Sequence, residues 1–257
     1  IDIPIRYENG CDSDVEVWKY FNEYLHKGST DNRIKLVANS LYDKKYTEAF
    51  TGCDVKYIPS LCEYTKARYN RKRDSFIYYH NETISAIEPC ARRKHDVLQF
   101  GHSWQQLYNY AGIIHIPYNV STMSIFEQYT ACVPLFFPTK RLLLEMYVQH
   151  FGGVLSQYSN NKLMDKQPES LLPFNGSWDP NAYTDTGAIS HWLNYADFYN
   201  TDQMPCLQYF DSFDELNDIM KHADNNYLDS ISAAIHLNNI GRKRDIYAAW
   251  KEVLNGL

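Results

Sequence analysis

Long apolar runs are what this 257-residue chain lacks first. None approaches the roughly 18 residues that a membrane-spanning helix needs, so no membrane span is expected. The six cysteines, Cys11, Cys53, Cys62, Cys90, Cys132 and Cys206, never fall at C-x-x-C spacing, which argues against a zinc site. Reduced thiols in a cytoplasmic protein are the simplest account of them. The G-x-S-x-G, P-loop and H-E-x-x-H patterns are missing, so hydrolase, kinase and metalloprotease chemistry has no support. Basic residues are in deficit, 25 against 31 acidic ones, and the formal charge of −6 argues against a nucleic-acid partner. No internal repeat and no low-complexity tract is present. No secretory signal opens at Ile1, and the first residue is not Met, as in a trimmed fragment.

What the chain does have is apolar and aromatic weight. Apolar residues make up 44%, enough for a core, with 22 tyrosines, 12 phenylalanines and five tryptophans among them. Aromatic rings stack on sugars and nucleobases, but they also fill cores, so composition alone names no platform. One basic cluster, Arg68, Arg71, Lys72 and Arg73 followed by Arg92, Arg93 and Lys94, reads either as solvated surface or as a phosphate attractor. Sequons stand at Asn81, Asn119 and Asn175.

The densest signal runs from Gly112 to Lys140, GIIHIPYNVSTMSIFEQYTACVPLFFPTK. Gly112 to Pro117 suits a buried strand, and Tyr118 to Thr122 forms a polar break. Ser121 or Thr122 caps a helix that turns Ile125, Phe126 and Tyr129 toward a core. Ala131 ends this helix, and Val133 to Phe137 forms the next strand. Ligands of open α/β sheets lie outside the carboxyl ends of strands, against helix N-termini whose free N–H groups and dipole favour phosphate. Ser121, Thr122 and Ser124 add hydroxyl donors there. Glu127, one turn into the helix, can accept hydrogen bonds from a ribose diol. An ordinary βαβ unit with a solvated Glu127 fits the same pattern. Cys132 reads as a small core residue, and His115 as a satisfied core histidine.

This segment resembles the donor-binding segment of GT-B fold glycosyltransferases, in which a strand, a turn and a glutamate-bearing helix hold a nucleotide-sugar. The matching positions are Tyr118, Asn119, Ser121, Thr122, Ser124 and Glu127. The following "G-x-P-hydrophobic" strand of the family corresponds to Ala131 to Phe137, with Ala131 or Cys132 where the glycine usually stands. The blocks VANSLYDKKYTEAFTG and IPSLCEYT look like those of glycosyltransferases from algae and large algal viruses, which would put the protein in a host cytoplasm if it is viral. The likeness extends over residues 1–257 and is sharpest at 112–140.

The resemblance implies an α/β fold of two Rossmann-type halves. Residues 1–70 would form a reduced or incomplete acceptor-side half. Residues 71–257 would form the donor-binding domain and end in a long helix that crosses back. The implied activity is hexosyl or pentosyl transfer from a UDP-, GDP- or dTDP-sugar to a glycan or other hydroxyl acceptor, with no metal or other cofactor. Lys140, or Arg92 and Arg93, would offset the leaving diphosphate. A general base must activate the acceptor. The candidates are Glu8, Asp43 and Glu48, and Glu8 is preferred because it ends a strand expected over Ile1 to Tyr7. Asp12-Ser13-Asp14 is a D-x-D pair, and metal-dependent transfer through Asp12 and Asp14 is the alternative. A non-catalytic binding module that supports a neighbouring domain is the rival outside enzymology.

Further elements are expected as strands over 33–40, 53–59, 75–80 and 205–210. Helices are expected over 46–50, 189–199, 213–222 and 230–254. Residues 155–185 read as a long loop over the site.

Overall fold

The computed structural model describes residues 15–79, 95–97, 101–150, 154–155, 178–180 and 184–256. The strand expected over Ile1 to Tyr7 and nearly all of the loop expected over 155–185 lie outside them. The fold is α/β, with every described strand pairing in parallel.

A small first unit consists of α1 (Val15–Thr30), β1 (Leu36–Ala38), α2 (Leu41–Thr51) and β2 (Val55–Tyr57). β1 and β2 make a two-stranded sheet, with Val37 opposite Lys56. Ser40 caps α2 by accepting from the Asp43 N–H at 3.0 Å. Gly52 closes the helix in the left-handed region (φ 66°), where a side chain would be strained.

The second unit is a five-stranded sheet in the order β4-β3-β5-β6-β7, built from Phe76–Tyr79 (β3), His95–Val97 (β4), Ile113–His115 (β5), Leu135–Pro138 (β6) and Gln208–Phe210 (β7). Counted within the unit this is 2-1-3-4-5, one of the two common doubly wound orders. The order reverses between β3 and β5, the position at whose carboxyl ends open α/β sheets bind their ligands. Phe76, Ile77, Ile113, Ile114, Leu135, Phe136 and Phe137 are all buried, the continuous apolar composition of strands covered on both faces. Gly112 is required by packing, since a Cβ there would lie 2.7 Å from the Phe136 ring and 3.1 Å from the Pro134 carbonyl.

Helices Trp104–Leu107 (α3), Met123–Thr130 (α4), Lys140–Val148 (α5), Thr186–Leu193 (α6), Phe213–His222 (α7) and Asn225–Asn255 (α8) complete the elements of the described residues, with 3-10 turns at Glu63–Thr65 and Asp197–Tyr199. α8 has 31 residues and extends about 46 Å. It packs on α4 and crosses back to the first unit and the segment after it. Arg242 Nη2 donates to the Ser60 carbonyl, Lys243 pairs with Glu63 at 2.7 Å, and Glu252 pairs with Lys56 at 2.5 Å. Among the described residues no helix is long and apolar enough to cross a membrane.

The observed elements differ from the expected ones mainly in extent. The helix expected over 46–50 is the eleven-residue α2. The helix expected over 189–199 is α6, which ends at Leu193 and is followed by a separate 3-10 turn. α1 and α5 were not expected.

Candidate functional site

The turn after β5 lies at the carboxyl end of the sheet reversal. Ile116 and Pro117 leave the strand buried, Tyr118 is half-buried, and Asn119 is 4% exposed. A glycan could not be carried on so buried an Asn119 side chain in the folded protein. Thr122 stands at the N-cap of α4, but its hydroxyl donates to the Asn119 carbonyl at 3.3 Å and makes no cap. α2, α3, α5, α6, α7 and α8 each have a side-chain oxygen accepting from the first turn. The opening N–H groups of α4 have no such side chain, and the Ser124 Oγ is buried with no hydrogen-bond partner among the described residues.

The first unit faces this turn with the carboxyl end of β1. Ser121 Oγ donates to Asp43 Oδ2 at 3.1 Å and lies 3.1 Å from Ser40 Oγ, which itself donates to Asp43 Oδ2 at 2.6 Å. Asn39 Nδ2 approaches the Met123 sulfur at 3.3 Å. Asp43 therefore brings a carboxylate onto the hydroxyl-rich turn ahead of α4.

Beside this contact lies Asp197, 5% exposed, at the start of the second 3-10 turn. It accepts from the Leu41 N–H at 3.0 Å and from the Tyr57 hydroxyl at 2.5 Å. Burial pushes its carboxyl up to about 7, and the Asp43 charge adds to this, while the two hydrogen bonds and Arg242 oppose it. The same burial, with Asp197 as neighbour, pushes the Tyr57 phenol well above its usual range.

Glu127 accepts from the Tyr64 hydroxyl and from Trp104 Nε1 at 3.2 Å. Tyr64 and Trp104 meet edge to face, with centroids 5.6 Å apart, and both rings are exposed. Neither ring was singled out from the sequence. The capping box at Ser103 and Gln106, which fixes the short helix carrying Trp104, is the local signal that could have drawn attention to it. Lys140 follows β6 directly, on the same edge of the sheet as the turn. Its Nζ donates to Asn194 Oδ1 at 2.8 Å and lies 5.3 Å from the Tyr199 ring centroid, and burial lowers its pKa.

The structure thus gathers Tyr118, Asn119, Ser121, Thr122, Ser124 and Lys140 along the carboxyl edge of the sheet, with Glu127 one turn along α4. Glu8, Arg92, Arg93, Asp12 and Asp14 lie outside the described residues. Among the other candidate bases, Glu48 is clamped by Lys45 at 2.9 Å and by Lys44. Burial opposes its charge, but the two lysines hold its carboxyl below the usual range. His115 is buried against Gln128 at 2.5 Å and stacks on Phe137. Among the described residues no group of three or more His, Cys, Asp or Glu could hold a metal ion.

Cys132 corrects its sequence reading. It is half-buried rather than a core residue, and its backbone sits at φ 66°. That conformation favours glycine and costs another residue roughly 1–2 kcal/mol. The residue standing in for the glycine of the resemblance is therefore not a neutral replacement.

No family of proteins, no curated protein and no solved structure matches this chain.

Proposed function

We propose that the chain is a metal-independent GT-B-like glycosyltransferase acting on a nucleotide-sugar. The observation that carries this reading is the N-terminus of α4, which lacks a side-chain cap, borders the sheet reversal and faces a carboxylate from the opposing parallel unit. The donor diphosphate would take the opening N–H groups of α4 with the hydroxyls of Ser121 and Ser124, while Glu127 binds the ribose beside Trp104 and Tyr64. Lys140 would offset leaving-group charge. A phosphate that replaced Asp43 on Ser121 would free that carboxylate and raise its proton affinity by like-charge repulsion. Asp43 would then serve as the general base toward an acceptor hydroxyl. Glu8 remains the other candidate for this role.

A second reading, a non-catalytic glycosyltransferase-like binding module, is favoured by the size of the first unit, whose described sheet has only two strands. The two readings separate in one experiment, which measures product formation and donor hydrolysis across UDP-, GDP- and dTDP-sugars, with and without EDTA. Donor binding to the Glu127→Ala variant is measured in parallel. Transfer that survives EDTA and is lost with Glu127 supports the transferase. Donor binding without turnover supports the module. Turnover that needs added manganese shifts the chemistry to Asp12 and Asp14, and normal donor binding by Glu127→Ala removes the site assignment.

A further inference from the structure

The carboxyl end of α4 opens onto a cavity of about 510 Å³ between α8, residues 61–69 and the turn at Thr130–Cys132. This is the size of a small-molecule site. It stands one helix length, about 12 Å, from the α4 N-terminus and does not depend on the transferase reading.

The charges around the cavity do not balance. Of the two carboxylates in its wall, Glu63 is held by Lys243 at 2.7 Å and Asp229 by Arg71 at 3.1 Å. Lys66 and Arg68 also line it, and neither has a carboxylate partner among the described residues. A chain of formal charge −6 thus leaves two cations uncompensated on one concave surface. Thr65 and Ser232 contribute hydroxyls, and His236 adds an imidazole. Leu61, Ala67 and Ile240 supply apolar wall.

Two lining residues also hold strained backbone. Lys66 sits at φ 54° and Cys132 at φ 66°. Their own N–H bonds lock these conformations, from Lys66 to the Glu63 carbonyl at 3.2 Å and from Cys132 to the Tyr129 carbonyl at 2.9 Å. Such strain concentrates where side chains are positioned for a ligand. The Cys132 sulfur lies 3.9 Å from His236 Nδ1 and 3.6 Å from Asn239 Nδ2. Burial raises this thiol's pKa, against weaker opposing effects of Asn239 and Arg68, so it stands in the wall mainly as the protonated thiol and alkylates slowly, through its thiolate fraction.

We propose that this cavity binds a small organic phosphate, with the phosphate on Arg68 and Lys66 and the apolar body against Leu61, Ala67 and Ile240. A guanidinium and an ammonium with neighbouring hydroxyls match a dianion of fixed geometry better than a single carboxylate.

Phenyl phosphate serves as the probe on the full chain. Calorimetry should give a binding heat that Arg68→Gln abolishes; Arg68 is exposed and forms no ion pair among the described residues, so the fold does not rely on its side chain. Site-resolved maleimide labelling then locates the ligand. At about ten times its Kd, phenyl phosphate should slow Cys132 alkylation about tenfold while Cys206 reacts unchanged. No binding heat, an equal heat in Arg68→Gln, or Cys132 left unprotected by bound probe each overturns the proposal. Inorganic phosphate binding as tightly removes the apolar contact from it, and phenylacetate binding as tightly removes the selectivity for phosphate.

Discussion

At the amino end of α4 Ser121 and Ser40 already share a protein carboxylate, and at its carboxyl end Lys66 and Arg68 have none among the described residues. Ser121 is held by Asp43 and lies against Ser40, and the two units close over the turn. At the other end, beside Thr130, Lys66 and Arg68 border an open cavity and have no carboxylate partner among the described residues. On the proposed transferase reading, the amino end is a site at rest, in which a protein carboxylate occupies the place of the donor phosphate. On the proposed phosphate-site reading, the carboxyl end has its shape already set. One short helix would then separate a site that must open from one that need not.

The largest effect expected at the closed end is catalytic. Asp43→Asn should lower turnover by about 10²–10⁴ while donor affinity holds or rises, because the variant removes a base and also a competing carboxylate. Loss of donor binding with turnover per bound donor unchanged would make Asp43 a structural clamp.

Next comes Arg242, which joins the two ends from α8. It is 6% exposed, donates to the Ser60 carbonyl and lies 5.7 Å from the ring centroids of both Phe126 and Tyr129. Arg242→Ala should cost about 3 kcal/mol in urea unfolding through a cavity and an orphaned carbonyl. Arg242→Met should recover most of it, since the guanidinium is itself costly to bury. Equal loss in both variants would mean that the charge, not the packing, matters.

The closed end should also depend on pH. Asp197 titrates at about 7 in the fold against an ordinary 3.8, so between those values the folded state binds a proton that the unfolded state has released. Its contribution is complete below the lower value and is lost as pH rises through the upper one. Asp197→Asn keeps the neutral form throughout. The stability of the wild type relative to this variant should therefore fall across that window, and a flat difference would place Asp197 in a wetter setting.

The smallest effect lies at the open end. Cys132→Gly should stabilise the protein by up to about 1 kcal/mol by relieving the left-handed backbone, offset in part by lost side-chain contacts. Destabilisation would show that the Asn239 and His236 contacts outweigh the strain.

How much of this the sequence disclosed follows from the range of the interactions. β5, α4 and β6 were readable because Ile113, Ile125, Phe126 and Phe136 are buried by local, periodic patterning. α7 was readable from Ser212 at its cap and its acidic first turn. α1 was obscured because Tyr20 and Tyr24 are 71% and 56% exposed, which blurs its apolar period. α5 was obscured because it follows β6 with only Thr139 between them, and the Thr139 hydroxyl accepts from the Leu142 N–H at 3.2 Å and starts the helix. At the site, the hydroxyl-rich turn and Glu127 stood out locally. The pairings did not: Asp43, already a candidate base, is 78 residues from Ser121, and Tyr64 is 63 from Glu127. No local spacing encodes those encounters, or the left-handed turn at Cys132.

The return of α8 to the start of the fold bears on when the first unit becomes ordered. A parallel pair of three-residue strands does not stand alone in water. Its fastenings to α8 join positions far apart in sequence, 196 residues from Lys56 to Glu252 and 182 from Ser60 to Arg242. Contacts of that separation form late, because the loop they close must first lose its freedom. The small sheet therefore waits for a helix made long after it, and the five-stranded unit is the scaffold on which both assemble.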